Sequence, residues 1–261
     1  MGDDRLTNKA IQIVTAARDD NKITGKEIIS SLLNDYMELH GGGIGSDDPA
    51  IIGGIGLFHQ QPVTVIATDK GTDIEDRVAK HFGCPTPAGY RKSLHLMKQA
   101  AKFHRPIFCF VNTPGAYPGQ SAEENGQGAA IAQNILEMSQ LPTPIITIIF
   151  GEGGSGGALA LAGGDQVWML ENSTYSILSP EGFATILWKD NTRADEAAQI
   201  MQLTPRDLLK KHVIEGIIKE PSDHQQVVKN IDQVLQRQLG DLQKLSTDQL
   251  LQKRHERYRK F

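Results

Sequence analysis

The stretch IITIIFGEGGSGGALALAGG, residues 145–164, decides how this chain is read. Ile145, Ile146, Ile148, Ile149 and Phe150, with Thr147 among them, form a short apolar, mostly β-branched run that predicts a buried strand. The run breaks into glycines and then into Ala158, Leu159, Ala160, Leu161 and Ala162, which favour a helix. Strand, glycine turn and helix start aim several backbone N–H groups at one spot. Without Cβ atoms a ligand can approach the main chain closely, and the helix dipole adds partial positive charge there. The segment is therefore a place to hold a negatively charged oxygen.

Outward from this stretch, short apolar strands near residues 63, 107, 145 and 167 each end in a Gly-, Pro- or Ser-rich loop, mostly followed by a helix. That alternation predicts an α/β fold with largely parallel pairing. In such sheets ligands collect at the carboxyl ends of the strands, where all the unusual loops fall. Upstream, Leu6–Arg18 reads as a helix. Thr24-Gly-Lys-Glu27 fits a capping box opening a second helix, with Ile28, Leu32, Leu33 and Tyr36 along one side. Residues 40–56 are glycine-rich and read as a loop entering a strand. A charged helix with Ile74, Val78 and Phe82 follows the strand Gln61–Thr68, and the helix Gly89–Lys102 turns Leu94, Met97 and Ala101 inward. After the strand Pro106–Val111 comes NTPGAYPG, residues 112–119, and Ser121-Ala-Glu-Glu124 is expected to cap a helix running to Met138. The last third is helical, with a start signal at Thr204-Pro-Arg-Asp207 and amphipathic segments at 225–239 and 247–260. The closing KRHERYRK reads as a solvated basic face.

At 261 residues with a net charge of −4, the chain can bury a substantial core and gives no sign of a nucleic-acid or membrane partner. No apolar run approaches the ~18 residues that a spanning helix needs. Met1–Asp20 lacks the apolar core of a secretory signal. Two cysteines, Cys84 and Cys109, are too few for a disulfide framework or a four-ligand zinc site, so a reduced, cytoplasmic setting is expected. Cys109, inside an apolar strand, reads as core.

The glycine stretch admits three readings. Gly151-x-Gly153-x-x-Gly156, with Glu171 about twenty residues on, fits a dinucleotide fingerprint, but the helix must end before Gly163-Gly164, which leaves it short. Gly153-x-Ser155-x-Gly157 fits the nucleophile elbow of a serine hydrolase, with Asp190, Asp195, His212, His224 and His255 available to complete a triad. The third is an oxyanion hole without a side-chain nucleophile, formed by N–H groups of Gly156, Gly157 or Ala158. TPGAYPG favours the third: it is a rigid second loop at a neighbouring strand end, with Tyr117 its only side chain of chemical note.

NTPGAYPGQSAEENGQ, GEGGSGGALA and ENSTYSILSPEGFATILWK closely resemble the alpha subunit family of bacterial acetyl-CoA carboxylase carboxyltransferases. AIIGGIG, HFGCPTPAGYRKSLHLMKQA and LSTDQLLQKRHERY carry the resemblance across nearly the whole chain. It implies a ClpP/crotonase-like fold of repeated ββα units, with N-terminal helices (6–38) in a carboxyltransferase domain spanning 1–242 and a basic C-terminal helix at 243–261. It implies activity only with a beta subunit, as an α2β2 core, that subunit carrying the zinc and this chain no metal. Biotin carboxylase and the biotin carboxyl carrier protein would be the further partners. The reaction implied moves a carboxyl group from carboxybiotin to acetyl-CoA, giving malonyl-CoA for fatty acid synthesis. By resemblance, the N–H groups of Gly157 and Ala158 hold biotin's carbonyl oxygen, Gly156 gives clearance, and Gly153 and Gly154 shape the turn. Gly115, Ala116, Tyr117 and Pro118 line the same cleft, Tyr117 packing on ligand; Ser155 is a turn residue. The sequence departs from the family's usual pattern at Gly42 and Gly43 (Asp-Arg), Thr72 (Arg), Asn112 (Asp) and Asn125 (Arg), and it lacks a Gly-Gly-Ala before His224. Lost arginines remove charge-assisted anchors, whereas the glycine loops are intact.

Overall fold

The computed structural model describes residues 4–43 and 47–261. Its frame is one eight-stranded sheet, and the strands are β1 (Asn34–Glu38), β2 (Ile51–Phe58), β3 (Gln61–Thr68), β4 (Ile107–Thr113), β5 (Ile145–Gly154), β6 (Gln166–Leu170), β7 (Thr174–Ser176) and β8 (Gly216–Ile218). The order is β1-β2-β3-β4-β5-β6-β8, with β7 beside the far end of β5. β1, β2 and β3 pair antiparallel, and every pairing from β3 onward is parallel.

The parallel strands read as unbroken apolar runs because helices cover both faces. Val65, Ala67, Phe108, Phe110, Ile146, Ile148 and Phe150 point to one core, shared with Ile28 and Ile29 of α2 (Gly25–Leu32) and with Val227, Ile231, Leu235 and Leu239 of α11 (His224–Leu242). The alternate residues Ile66, Cys109, Val111, Ile145 and Ile149 point to the other core. There they meet Leu96 and Met97 of α4 (Pro87–Lys102), Met138 of α6 (Gln127–Met138), and Ala158 and Leu161 of α7 (Ser155–Ala162). Cys109 is core, as its strand predicts, and burial pushes its thiol up to about 12. Among the described residues no helix is long and apolar enough to cross a membrane.

Several local expectations are corrected. The capping box at Thr24 and Glu27 is formed, but α2 ends at Leu32 and Tyr36 lies in β1. Part of the 40–56 segment is strand: β2 begins at Ile51 and includes Gly53, Gly54 and Gly56, while residues 44–46 of that segment lie outside the described residues. A Cβ on Gly53 or Gly54 would sit 2.3 Å from Leu96 Cδ1 or from the Met37 carbonyl, so these glycines let neighbours approach a strand rather than break it. Ser121 caps nothing: α5 (Gln120–Glu124) starts on Gly119, and the chain breaks at Gly126, φ 79°, before α6. The helix α3 (Ile74–Ala79) leaves Ile74, Val78 and the following Phe82 exposed by 81%, 56% and 56%, so its apolar stripe is not a core face. Leu94 is half-buried, whereas Met97 and Ala101 are buried.

The C-terminal helix α12 (Thr247–Tyr258) is the largest correction. Only part of its basic run is a solvated face: Lys253, His255, Arg259 and Lys260 are exposed, but Arg254 and Arg257 are buried. Arg254 is buried and donates to both oxygens of buried Asp165 at 2.8 Å and to the carbonyls of Met138, Leu141 and Thr143 at 2.7–2.8 Å. Arg257 pairs with Glu215 at 2.7 Å, and the Tyr258 hydroxyl donates to the Ala162 and Gly164 carbonyls at the end of α7. One guanidinium thus satisfies the chain end of α6 and the turn after α7 together. Arg254→Ala leaves Asp165 buried without its partner and is expected to cost about 3–5 kcal/mol in urea unfolding. Lys253→Ala, next to Arg254 in sequence but exposed, is expected to stay within about 0.5 kcal/mol of the parent.

Candidate functional site

The site is built at the carboxyl ends of β4 and β5, where the ladder between them is irregular. Val111 pairs with Ile149, but the next partners are Thr113 and Gly153, so β5 carries two extra residues. The bulge is held by Asn112: its side-chain Oδ1 accepts the Glu152 N–H at 2.9 Å, and its backbone N–H donates to Thr68 Oγ1 at 2.6 Å. Gly151 makes room, since a Cβ there would lie 2.3 Å from Asn112 Oδ1. Bulges of this kind re-aim a strand end, and here β5 is turned so that Glu152, Gly153 and Gly154 also pair with β7. Gly153 and Gly154 are therefore strand residues, and the turn is made by Ser155 alone, at φ 54°.

At this turn the two loops meet backbone to backbone. A Cβ on Gly154 would lie 1.9 Å from the Pro114 carbonyl oxygen, and one on Gly157 would lie 2.5 Å from Ala116 N. Gly156, by contrast, has room: a Cβ there would make only ordinary contact, with Ile131 Cγ2 at 3.5 Å. Gly154 and Gly157 are thus the glycines that the contact between the two loops requires. Gly154 is the N-cap of α7 and offers no side-chain acceptor, so the first-turn N–H groups have no side-chain partner. Counting from Gly154, Gly156 and Gly157 also lack an intrahelical acceptor, whereas Ala158 lies a full turn after the Gly154 carbonyl.

TPGAYPG is braced from below. Thr113 Oγ1 donates to the Gly115 carbonyl and accepts the Gly115 N–H, and Gly115 has φ 150°. The Tyr117 N–H donates to the Pro85 carbonyl, and the buried Gln127 side chain donates to the carbonyls of Pro85 and Tyr117. The Tyr117 ring lies 4.3 Å from the His81 ring and against Gly119, and Pro118 is exposed. Gln127 escapes a sequence search for chemistry because its side chain acts on backbone carbonyls, and Glu152 because its carboxylate pairs with Arg18 and Lys70, both distant in sequence.

A cavity of about 310 Å3 opens beside these loops, lined by the ends of β3, β4 and β5 and by residues 18–25. Its walls hold four cations (Arg18, Lys22, Lys70, Arg77) and four carboxylates (Asp19, Asp20, Asp69, Glu152), so it presents no single-sign field to an anion. Arg18 bridges Glu152 at 2.8 Å and Glu181 at 2.7 Å, and Lys70 holds the other Glu152 oxygen at 2.7 Å. Burial pushes the Glu152 carboxyl up, but Lys70 and Arg18 outweigh it and hold the group below its usual range. Gly156, Gly157 and Ala158 lie outside this lining.

The competing readings of the glycine stretch lose their support. Ser155 is exposed, and none of the histidine hydrogen bonds among the described residues reaches it: His224 meets Glu27 and the Asn21 carbonyl, and His255 meets the Ser139 carbonyl. The dinucleotide spacing falls on strand rather than turn, and a Glu171 carboxylate oxygen accepts the Glu220 N–H.

Three of the departures from the usual family pattern also find physical places. Asn112 retains the oxygen that the bulge needs. The Asn125 side-chain amide donates to the Ser121 carbonyl while the Asn125 backbone carbonyl accepts from Arg91 at 2.6 Å, and the Thr72 N–H donates to Asp76.

Solved structures share this fold. Transcarboxylase 12S superposes with a TM-score of 0.68 at 17% identity over 86% of the chain, which spans 44% of that longer one. A single-chain, multi-domain long-chain acyl-CoA carboxylase gives 0.67 at 15% identity, over 87% of this chain and 22% of that one. The architecture is that of the crotonase-like carboxyltransferases. Residues 5–261 match the family described as acetyl co-enzyme A carboxylase carboxyltransferase-like, and the chain belongs to it. Acetyl-coenzyme A carboxylase carboxyl transferase subunit alpha of Streptococcus sanguinis is 50% identical over 97% of this chain and 99% of its own. The subunit of the same name from Streptococcus pyogenes serotype M12 is 52% identical over 96% and 98%.

The contact geometry separates three glycines. Gly154→Ala drives a methyl into the Pro114 carbonyl and is expected to lower the thermal midpoint by several degrees, as is Gly157→Ala. Gly156→Ala, at a helical position with room, is expected to leave the midpoint unchanged or to raise it. Differential scanning fluorimetry of the three variants checks the order.

Proposed function

We propose that this chain is the alpha half of an acetyl-CoA carboxyltransferase. Together with a beta subunit it moves a carboxyl group from carboxybiotin, carried on a separate protein, to acetyl-CoA, giving malonyl-CoA. The observation that carries the reading is the backbone-to-backbone meeting of Gly157 with Gly115–Ala116. It sits in a chain that shares half its residues, end to end, with named alpha subunits. The assembly this reading requires is an α2β2 core served by biotin carboxylase and the biotin carboxyl carrier protein, in the cytoplasm. The zinc would belong to the beta subunit.

The residues present suit the group. A carbonyl oxygen that gains charge wants fixed donors in a dry place, where they need no reorganisation as charge develops. Gly157 and Ala158 are buried, and the N–H groups of Gly156 and Gly157 have neither side-chain nor intrahelical acceptors. We assign the donor role to these two, with Ala158 closing the site behind them. Gly115, Ala116, Tyr117 and Pro118 form the facing wall, held by Thr113 and Gln127. Carboxybiotin, when bound, supplies the carboxyl group and the base. The protein's part is to bind, orient and exclude water, which accounts for loops that carry no His, Asp or Lys. Ser155 makes the turn, and its hydroxyl has no task.

With its beta subunit the chain is expected to carboxylate acetyl-CoA from carboxybiotin, and alone to be inert. Gly157→Val drives its side chain into the Gly115–Ala116 peptide and abolishes transfer, whereas Ser155→Ala keeps most of it. Ester hydrolysis by the lone chain, lost in Ser155→Ala, would contradict the reading. So would transfer that survives Gly157→Val.

A further inference from the structure

Tyr90 stands in the first turn of α4, inside HFGCPTPAGYRKSLHLMKQA, and is fully buried. Its ring packs with Ala130 and Ala160 and against Ala116 and Ile131. Its hydroxyl is inaccessible and has no hydrogen-bond partner. A buried O–H without an acceptor costs free energy that phenylalanine at the same place would avoid, so the hydroxyl calls for an explanation. Its position supplies one. The point that a Gly157 Cβ would occupy lies 2.7 Å from the Tyr90 hydroxyl oxygen, 2.5 Å from Ala116 N and 2.8 Å from the Gly115 carbonyl carbon. The hydroxyl therefore reaches the junction where the turn of α7 meets TPGAYPG. Burial, with Cys84 and Asp48 in the same direction, raises its pKa, so the phenol keeps its proton.

We infer that Tyr90 is a further donor of the anion site. When an amide or ureido carbonyl oxygen comes up to the junction of the two loops, the Tyr90 O–H turns to it beside the N–H groups of Gly156 and Gly157. Only a hydrogen bond is made, and the proton stays on the phenol. The free chain holds the donor sheltered from water, which would otherwise satisfy it. A side chain thereby supplements a hole that glycines alone would form, and the ring fixes its position from the rigid helix α4.

This inference rests on the carboxyltransferase reading, and its test is arranged to separate the two. Tyr90→Phe is assembled with the beta subunit beside the wild-type chain, and thermal midpoint, kcat and KM for acetyl-CoA are measured. The midpoint is expected to stay or rise because the orphaned hydroxyl is gone. kcat is expected to fall roughly 10²-fold, the scale of losing one preorganised donor, with KM for acetyl-CoA unchanged. An unchanged kcat overturns the inference. A midpoint that drops with the activity also overturns it, since the hydroxyl would then serve a protein partner. Wild-type complex without transfer activity would instead overturn the reading beneath it.

Discussion

Everything at the functional end of this molecule depends on two stretches of main chain touching with no side chain between them. Gly154 lies against the Pro114 carbonyl, and Gly157 lies against the Gly115–Ala116 peptide. Such contact is possible only where Cβ atoms are missing, and it is useful only if both stretches are held rigidly. The sheet supplies the rigidity. β4 and β5 are its central strands, with one core above and one below, so neither loop can drift without disturbing packed side chains on both faces. The β5 bulge, held by Asn112, then turns the strand end far enough for the N-terminus of α7 to face its neighbour.

Around that contact the fold spends polar groups on position. Gln127 holds TPGAYPG to the Pro85 loop, and Thr113 closes the turn on itself. At the other end of α7, Tyr258 and the Arg254–Asp165 pair fix the turn that leads into β6. The C-terminal helix is thus part of the support for the site although it lies at the opposite end of α7. On the near side Arg18 ties the segment after α1 (Asp4–Ala17) to Glu152 and to Glu181 on α8 (Pro180–Trp188), beside the bulge. These ion pairs balance one another beside the bulge.

The parallel strands, the short helix after the glycines and the pairing of two loops at one sheet edge were legible because each depends on local pattern. Continuous apolar runs mark strands covered on both faces, and Gly163-Gly164 sets where α7 can end. What was not legible depends on partners distant in sequence. The glycines of β2 look like loop residues until Met37 and Leu96 are seen pressing on them. Tyr36 continues the spacing of α2, but chain pairing with β2 claims it for β1. Ile74, Val78 and Phe82 carry a helical period and still face outward, since period alone does not say that a core lies opposite. Arg254 reads as one of several surface cations, and only the carbonyls of Met138, Leu141 and Thr143, more than 100 positions away, make it a core residue. Tyr90 likewise looks like an apolar helix residue, because its hydroxyl acquires meaning only beside Gly157.

The central claim is that main-chain N–H groups, and not side chains of the glycine loop, stabilise the developing charge. It is tested most directly by replacing the Gly157 amide with an ester through semisynthesis, which removes one N–H and adds no side chain. In the assembled enzyme the account predicts a kcat reduced about 10²–10³-fold with the thermal midpoint nearly unchanged. A kcat equal to that of the unmodified enzyme would contradict it.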